Sequence, residues 1–242
     1  MKKKIQSILQ KLLGFENYLY YFARIKISFF KGRTYEAEFF EFLNLIPEGT
    51  ILDIGANIGI TTVPLAKKFP GARIHAFEPI PANNSALKKI INHYRLTNVQ
   101  LHEMALGEEE GTLKLVVPVI NNVRMQGLSH VYVEGQQDEW NTGDIYNIPV
   151  TVLDDIPQLQ NEHTIAAIKI DVENYEYYVL KGGMQLLMKH KPVIYCELWA
   201  NEKRALVMDL LKECGYSVKV FEGKQLTAYT NQPVTNFIFV CE

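Results

Sequence analysis

Short runs of β-branched residues alternate with longer segments of helical period from Thr50 onward. Strands that alternate with helices of about 10–15 residues predict a parallel, doubly wound α/β sheet. Three β-rich runs without intervening helices close the chain and predict a hairpin added antiparallel to that sheet. We therefore expect an N-terminal helical segment, residues 1–46, and one α/β domain, residues 47–242. The expected parallel strands cover residues 50–54, 73–77, 99–105, 166–171 and 192–198.

The balance of charge and the few cysteines limit the partners and the compartment. The 242 residues carry 25 basic and 27 acidic side chains, a net charge of -2, which argues against nucleic acid as a partner. The three cysteines are odd in number and widely spaced, which is typical of reduced thiols. We expect a cytoplasmic protein, and the sequence predicts no particular oligomeric state.

The first residues predict an amphipathic helix. No run of 18 apolar residues exists, so no segment predicts a membrane span. A helix packed on its own domain is the commoner structure and is the interpretation adopted. Peripheral contact with a bilayer surface is the alternative. The apolar residues that share one face are Ile5, Ile8, Leu9, Leu12 and Leu13.

Residues 118–148 interrupt the alternation of strands and helices. They are polar, rich in asparagine and glycine, and only weakly periodic. A loop of this length in a compact domain is usually functional or disordered, and His130, Tyr132 and Trp140 are unlike the residues of a disordered linker. We expect a lid-like insertion that recognises the substrate.

Residues 51–59, ILDIGANIG, combine an apolar strand, a glycine turn and the start of a helix. Gly55 and Gly59 allow a tight turn and the close approach of a ligand. Glu78 follows at the end of the second predicted strand, where a carboxylate accepts hydrogen bonds from the hydroxyls of a ribose. The pattern predicts a site for a nucleoside-containing cofactor.

Two residues of the turn distinguish between cofactors. Asn57 occupies the place where a dinucleotide site has its middle glycine, and Asp53 would repel a pyrophosphate but pair with an ammonium. S-adenosylmethionine has a ribose, an ammonium and no phosphate. The turn therefore favours this methyl donor over NAD, which remains the less favoured alternative.

Six blocks of the sequence, in order, resemble the FkbM-type methyltransferases. The blocks are DIGANIG, FEP, ALG, VTVLDD, IKIDVENYEYYVLKGG and PVIYCELW, and the similarity extends from about Tyr35 to Trp199. The resemblance implies a Rossmann-like class I methyltransferase sheet of seven strands, the last antiparallel, and S-adenosylmethionine as cofactor. It also implies a small-molecule or glycan acceptor that is methylated on a hydroxyl.

The resemblance also assigns cofactor contacts. Glu78 would hold the ribose, and Met104 and Ala105 would border the adenine. Where the family usually has glycine after its acid pair, this chain has Asn174, which tolerates left-handed backbone angles but adds a side chain. The residues expected at the amino-acid part of the cofactor are Asp53, Gly55, Asn57 and Gly59.

Acidic residues cluster at the ends of the fourth and fifth predicted strands. Asp171 ends the fourth strand, Lys169 lies two residues earlier on the same face, and Glu197 ends the fifth. Glu173 follows directly. These side chains fit either helix capping or an active site, and we take Asp171, Glu173, Lys169 and Glu197 as candidate catalytic residues.

Two chemistries fit the acidic cluster. In one, a carboxylate, a desolvated Lys169 or His130 takes the proton from the acceptor hydroxyl. In the other, which we do not favour, Asp171 and Glu197 bind magnesium, which lowers the pKa of the hydroxyl. A catalytically silent cofactor-binding module is a further alternative, supported only by Asn174. A nucleic-acid methyltransferase is disfavoured because the fourth strand ends in DVEN.

Overall fold

The computed structural model describes residues 2–29 and 37–241. The helices and strands alternate as the sequence predicts, and short 3-10 turns lie at Gln126–Leu128 and Leu153–Asp155. The helices are α1 Lys2–Leu13, α2 Phe15–Phe29, α3 Ala37–Leu45, α4 Thr62–Lys68, α5 Pro81–Tyr94, α6 Pro157–Gln160, α7 Glu176–Lys181, α8 Met184–His190 and α9 Glu202–Glu213. The strands are β1 Thr50–Ile54, β2 Ile74–Phe77, β3 Val99–His102, β4 Ala105–Gly107, β5 Gly111–Ile120, β6 Val123–Arg124, β7 His130–Val131, β8 Gly143–Val152, β9 Ile165–Ile170, β10 Val193–Glu197, β11 Tyr216–Glu222, β12 Gln225–Ala228 and β13 Asn236–Cys241.

The main sheet has the strand order β12-β11-β13-β10-β9-β1-β2-β3. The five strands from β10 to β3 are parallel, whereas β13 runs antiparallel between β10 and β11. The predicted doubly wound sheet with an antiparallel last strand is therefore confirmed. The strand number differs from seven because β12 pairs with β11 at the edge and adds an eighth strand.

Helices cover both faces of this sheet, and the side-chain alternation of β1 shows how. Leu52 and Ile54 are buried with the helices from α6 to α9, while Ile51 is buried with α2 to α5. Asp53 lies on the same face as Ile51 and is opposite Lys169 of β9 in the register. The register therefore brings a buried carboxylate and a buried lysine together at the centre of the sheet.

A second, smaller sheet has the order β4-β8-β5-β6, and β7 also pairs with β5. The long antiparallel pair β5–β8 forms most of it. The expectation of an irregular loop at residues 118–148 is therefore wrong in part, since this range holds the end of β5, the short strands β6 and β7, and the start of β8. The polar residues between the two long strands conceal their pairing in the sequence.

Two other segments differ from the sequence prediction. The helical period of the residues after Asp171 predicts one helix that ends at Lys189, whereas the structure has two helices, α7 and α8, separated by Gly182 and Gly183. The segment TYEAEFFEFLNLIP predicts a helix that Pro47 ends; α3 forms within it, and the start of the segment, including Tyr35, lies in residues 30–36, outside the described residues. The boundary between the segments 1–46 and 47–242 stays a prediction.

The N-terminal helices pack on the edge of the domain. Helix α2 packs along α5, and α1 contacts α2 and the short strand β6. Within residues 2–29 and 37–241, no helix is both long and apolar enough to cross a membrane.

The chain changes direction across the sheet between β1 and β9, because β2 follows β1 on one side and β9 lies on the other. Ligands bind at such a switch point, outside the carboxyl ends of the strands. Here the loops after β1 and β9 touch through their backbones. A Cβ atom on Gly55, whose φ is +76°, would collide with the carbonyl oxygen of Asp171.

Because of this contact, we expect Gly55→Ala to lower the free energy of unfolding by at least about 2 kcal/mol through backbone strain and steric collision. Urea denaturation of the purified variant measures the change. Gly71→Ala is the matched control, since a Cβ there meets open space, and it should change stability by less than about 0.5 kcal/mol. Equal stability of the two variants would contradict the close contact of the loops.

Candidate active site

A pocket with an empty volume of about 730 Å³ opens at the carboxyl ends of β1, β2 and β9. The second sheet and the segment before β7 form its opposite wall. Gln126 to Val131, which belong to the predicted insertion of residues 118–148, thus line the pocket. The action of this insertion as a lid stays a prediction. The pocket places Glu78, Asp171, Glu173 and His130 around one space.

The backbone N–H groups of the turn after β1 donate hydrogen bonds to other groups of the protein. The amides of Gly55 and Ala56 both donate to the carbonyl oxygen of Phe77, at 3.0 and 2.9 Å. The amide of Asn57, whose φ is +49°, donates to Oε2 of Glu78 at 2.9 Å. These three N–H groups are therefore committed within the protein, whereas a pyrophosphate site needs such groups free.

Glu78 is a buried carboxylate at the floor of the pocket. Its Oε1 accepts hydrogen bonds from the amide of Ile80 and from Nδ2 of Asn83, at 2.9 and 3.0 Å. Burial raises the pKa of Glu78 to about 7, although its three hydrogen bonds and the Lys169 ammonium act in the opposite direction. The group therefore changes its charge close to neutral pH.

Two further acceptor atoms in the pocket wall have no partner. Oδ1 of Asn57 and Oδ1 of Asn83 are buried and make no hydrogen bond within the described part of the chain. Buried polar atoms normally have a partner, so both oxygens point to a ligand that supplies donors. A ribose, an ammonium and an exocyclic amine are donors, and S-adenosylmethionine carries all three, so these residues fit that group.

The other predicted cofactor residues take different positions. Met104 and Ala105 line the pocket, as the resemblance implies. Asp53 lies fully buried beneath the turn, where the hydroxyl of Thr62 donates to it at 2.6 Å. Gly59 packs against Leu87 of α5. Asp53 and Gly59 are not among the residues that line the pocket, so their contact with a cofactor stays a prediction.

Lys169 is a buried cation that joins the loops after β1 and β9. Its Nζ donates to the carbonyl oxygen of Gly55 at 2.8 Å and lies 3.7 Å from a carboxylate oxygen of each of Asp53 and Asp171. Burial lowers the pKa of Lys169, but surrounding carboxylates outweigh burial and raise this pKa above its ordinary value. An ammonium cannot accept a proton, which disfavours the desolvated Lys169 as the base. The carboxylates are, in order of effect, those of Asp171, Asp53, Glu78 and Glu197.

The turn after β9 has an unusual backbone. Glu173 and Asn174 both have positive φ angles, +51° and +72°. Each such residue costs about 1–3 kcal/mol and persists only where its surroundings impose it. Strain of this kind concentrates at functional sites, and here it fixes the acid that lines the pocket.

Glu176 and the start of α9 impose this strained conformation. Oε1 of the buried Glu176 accepts hydrogen bonds from the amides of Val172 and Asn174, at 3.1 and 3.2 Å. Nζ of Lys203 donates to the carbonyl oxygen of Asn174, and Nδ2 of Asn201 donates to its Oδ1. The side chain of Asn174 is thus held by α9, and it is not among the residues that line the pocket.

Glu173 has the most perturbed carboxyl group of the turn. Burial raises its pKa, and repulsion from neighbouring carboxylates raises it further, to about 8. A partly buried acid with a pKa near neutrality is suited to general acid–base chemistry. The neighbouring carboxylates belong to Asp171, Glu197 and Glu176.

His130 also lines the pocket, on the wall formed by the second sheet. Its Nδ1 lies 2.9 Å from the carbonyl oxygen of Leu128, which requires the proton on Nδ1 and leaves the Nε2 lone pair available. Glu197 raises the pKa of Glu173 but is not among the residues that line the pocket. Within the described ranges, no group of three or more His, Cys, Asp or Glu residues could hold a metal ion.

Two residues of the site carry roles that the sequence prediction did not assign. Asn83 holds Glu78 and lines the pocket, and Glu176 holds the strained turn. The two asparagines in FEPIPANN, five and six residues after the acid, are the sequence signal for the role of Asn83. No sequence signal identifies the role of Glu176, because its partners are backbone amides.

We expect Glu176→Ala to lower the free energy of unfolding by about 2–4 kcal/mol, because two amides of the turn lose their acceptor. Urea denaturation of both proteins measures the loss. Glu202→Ala is the matched control, since Glu202 also lies in the first turn of a helix but is exposed, and it should cost less than about 1 kcal/mol. A loss no larger than that of the control would contradict the role of Glu176.

Known proteins resemble this chain both in sequence and in fold. The family model described as the methyltransferase FkbM domain matches residues 53–218, more than half of the chain. Methyltransferase 1 of Beauveria bassiana (strain ARSEF 2860) is 26% identical over 175 residues, which cover 66% of this chain and 68% of that protein. The 31-O-demethyl-FK506 methyltransferase FkbM of Streptomyces tacrolimicus is 26% identical over 160 residues, covering 58% and 61%.

The crystal structure of a methyltransferase FkbM from Methylobacillus flagellatus KT shares the fold. Its TM-score is 0.52 at 19% sequence identity, and the match covers 80% of this chain but 43% of that one. This chain therefore spans less than half the length of that protein.

Proposed function

This chain belongs to the family of FkbM methyltransferase domains, and we propose that it transfers a methyl group from S-adenosylmethionine to a hydroxyl group of a small-molecule acceptor. The observation that carries the proposal is the composition of one pocket. The pocket combines committed backbone amides and unpaired acceptor oxygens with a strained turn that carries a titratable acid.

The hydrogen bonds of the cofactor turn support the choice of S-adenosylmethionine over NAD. Glu78 would accept hydrogen bonds from the ribose hydroxyls, and the side-chain oxygens of Asn57 and Asn83 would accept from other donors of the same ligand. A pyrophosphate would meet these acceptors instead of free amides, and its charge would repel the Glu78 carboxylate. Met104 and the apolar residues around it offer a surface suited to adenine.

The pocket also supports the chemistry of proton removal. When bound, S-adenosylmethionine supplies a methyl group on a positively charged sulfur. The acceptor hydroxyl must lose its proton as its oxygen forms the new bond to carbon, and the ionised carboxylate of Glu173 would take that proton. Asp171 and the Lys169 ammonium would set the charge around this base.

The class of acceptor rests on the relatives and on the pocket together. The Streptomyces relative is named for a 31-O-demethyl substrate, which points to oxygen as the methylated atom. We propose a saccharide, a glycolipid or a secondary metabolite as the acceptor. Residues from Gln126 to Val131, which line the same pocket as the acid turn, would recognise it. Nothing in the pocket specifically favours a silent binding module, because the side chain of Asn174 is engaged by α9.

For the cofactor, we expect calorimetry to show binding of S-adenosylhomocysteine and no binding of NAD. Glu78 must be ionised for the remaining acceptor site of its Oε2 to bind a ribose hydroxyl, and burial raises the pKa of Glu78 to about 7. The affinity for S-adenosylhomocysteine should therefore fall by about tenfold from pH 8 to pH 6, because Glu78 takes up one proton. Glu78→Gln should weaken binding and abolish this dependence, whereas Glu173→Gln should preserve it. Binding of NAD without binding of S-adenosylhomocysteine would refute the cofactor assignment.

For the chemistry, we expect labelled S-adenosylmethionine to methylate a hydroxyl of one member of a panel of saccharides, glycolipids and secondary metabolites. The rate should rise with pH through about 8, because the Glu173 carboxyl accepts a proton only when ionised. Glu173→Gln should lower turnover about a hundredfold or more while retaining S-adenosylhomocysteine binding.

Two further variants separate the roles at this site. Asp171→Asn removes a negative neighbour of Glu173, so the midpoint of the pH–rate profile should move below 8. His130→Gln should retain most of the activity if Glu173 is the base. Full activity of Glu173→Gln together with an inactive His130→Gln would assign the base to His130 instead.

A further inference from the structure

Helix α1 faces the protein with its polar side. Gln10 is buried at 7% exposure, whereas the apolar residues turn toward solvent. Leu12 is 77% exposed, and Ile5 and Ile8 are each more than half exposed. A helix that packs on its own domain normally buries its apolar stripe, so the expected packing is reversed here.

Specific polar contacts fix this orientation of the helix. Nε2 of Gln10 donates to the carbonyl oxygen of Arg124 at 3.1 Å, and the amide of Arg124 donates to Oε1 of Gln10 at 3.0 Å. The side-chain amide thus pairs with both backbone groups of one residue of β6. The apolar side of α1 is left for contact with something outside the chain.

The next helix continues the exposed apolar surface. Tyr21, Ile25 and Phe29 of α2 follow at intervals of four residues, and each is 47% exposed or more. Of the fifteen exposed large apolar side chains in the described ranges, eight lie on α1 and α2. Exposed apolar residues are therefore concentrated in these two helices.

The positive charge of α1 indicates what kind of surface its apolar stripe contacts. The helix contains four lysines and no acidic residue, although the whole chain has a net charge of -2. Lys4 and Lys11 are exposed and flank the apolar stripe, where long cationic side chains reach the headgroups of a bilayer. We infer that α1 and α2 dock the protein on a membrane surface that contains anionic lipids.

A second copy of the chain is a poorer occupant of the same surface. In a twofold-symmetric dimer, α1 would meet its own counterpart, and lysines of both copies would approach each other without an acid on the helix to pair with them. An anionic bilayer instead pairs with the lysines and accepts the apolar stripe.

Docking through α1 also sets the distance between the pocket and the bilayer. The conclusion drawn from this distance about the acceptor rests on the proposed function. Arg124, paired with Gln10, lies two residues before the segment of Gln126 to Val131 that lines the pocket. This segment is therefore close to the side of α1 opposite the bilayer, with about one helix diameter, roughly 10 Å, between them. The position suits an acceptor carried on a membrane lipid.

Co-sedimentation of the full chain with vesicles tests the docking. We expect binding to vesicles in which about one third of the lipid is phosphatidylglycerol, and little binding to phosphatidylcholine alone. Leu12→Glu should weaken binding at least about tenfold by placing a charge in the apolar stripe. The double variant Lys4→Gln, Lys11→Gln should weaken it about 25-fold, or fivefold for each lysine.

Met188→Glu and Lys189→Gln are the matched controls, because both residues are exposed on α8, far along the chain from α1. Both should bind vesicles like the unchanged protein. Absence of vesicle binding, equal binding to the two kinds of vesicle, or unchanged binding of Leu12→Glu would overturn the proposal. So would a dimer in sedimentation velocity that Leu12→Glu dissociates without any vesicle binding. None of these outcomes depends on methyl transfer, so they leave the proposed function untouched.

Discussion

The buried ammonium of Lys169 is the interaction on which the centre of the molecule depends. It lies between the Asp53 and Asp171 carboxylates and also binds the carbonyl oxygen of Gly55. Removing one partner of such a buried ionic group leaves an uncompensated charge, which costs about 3–5 kcal/mol. The strands β1 and β9 therefore keep their carboxyl ends together, and the groups of the pocket floor that follow these two strands take their positions from those ends.

The main sheet was predictable because its signals are local. Apolar runs, glycine turns and the acids at strand ends appear within a few residues of one another, so Glu78 and Asp171 could be placed before the structure was known. The second sheet has no such signal. Its ladder runs from Gly111 paired with Val150 to Pro118 paired with Gly143, and polar residues separate the two strands. Pairing between distant residues is decided by tertiary contacts, which local patterns do not contain.

The protonation state of Lys169 could not be predicted from the sequence either. A lysine in a buried strand fits a neutral base as well as a structural cation. The distinction depends on Asp53, 116 positions before Lys169, and on the loop that follows β9. The strained turn is a similar case. Asn174 replaces the usual glycine of the family, and α9 holds its side chain, so a substitution that suggested loss of function preserves the backbone of the site.

The two walls of the pocket come from different parts of the chain. The floor is assembled from the ends of β1, β2 and β9, whereas half of the residues of the opposite wall come from one continuous stretch between β5 and β8. Evolution can therefore lengthen, shorten or replace that stretch as a single cassette while the floor stays unchanged. The arrangement thus confines the part of the pocket that can change in length to a single segment of the chain.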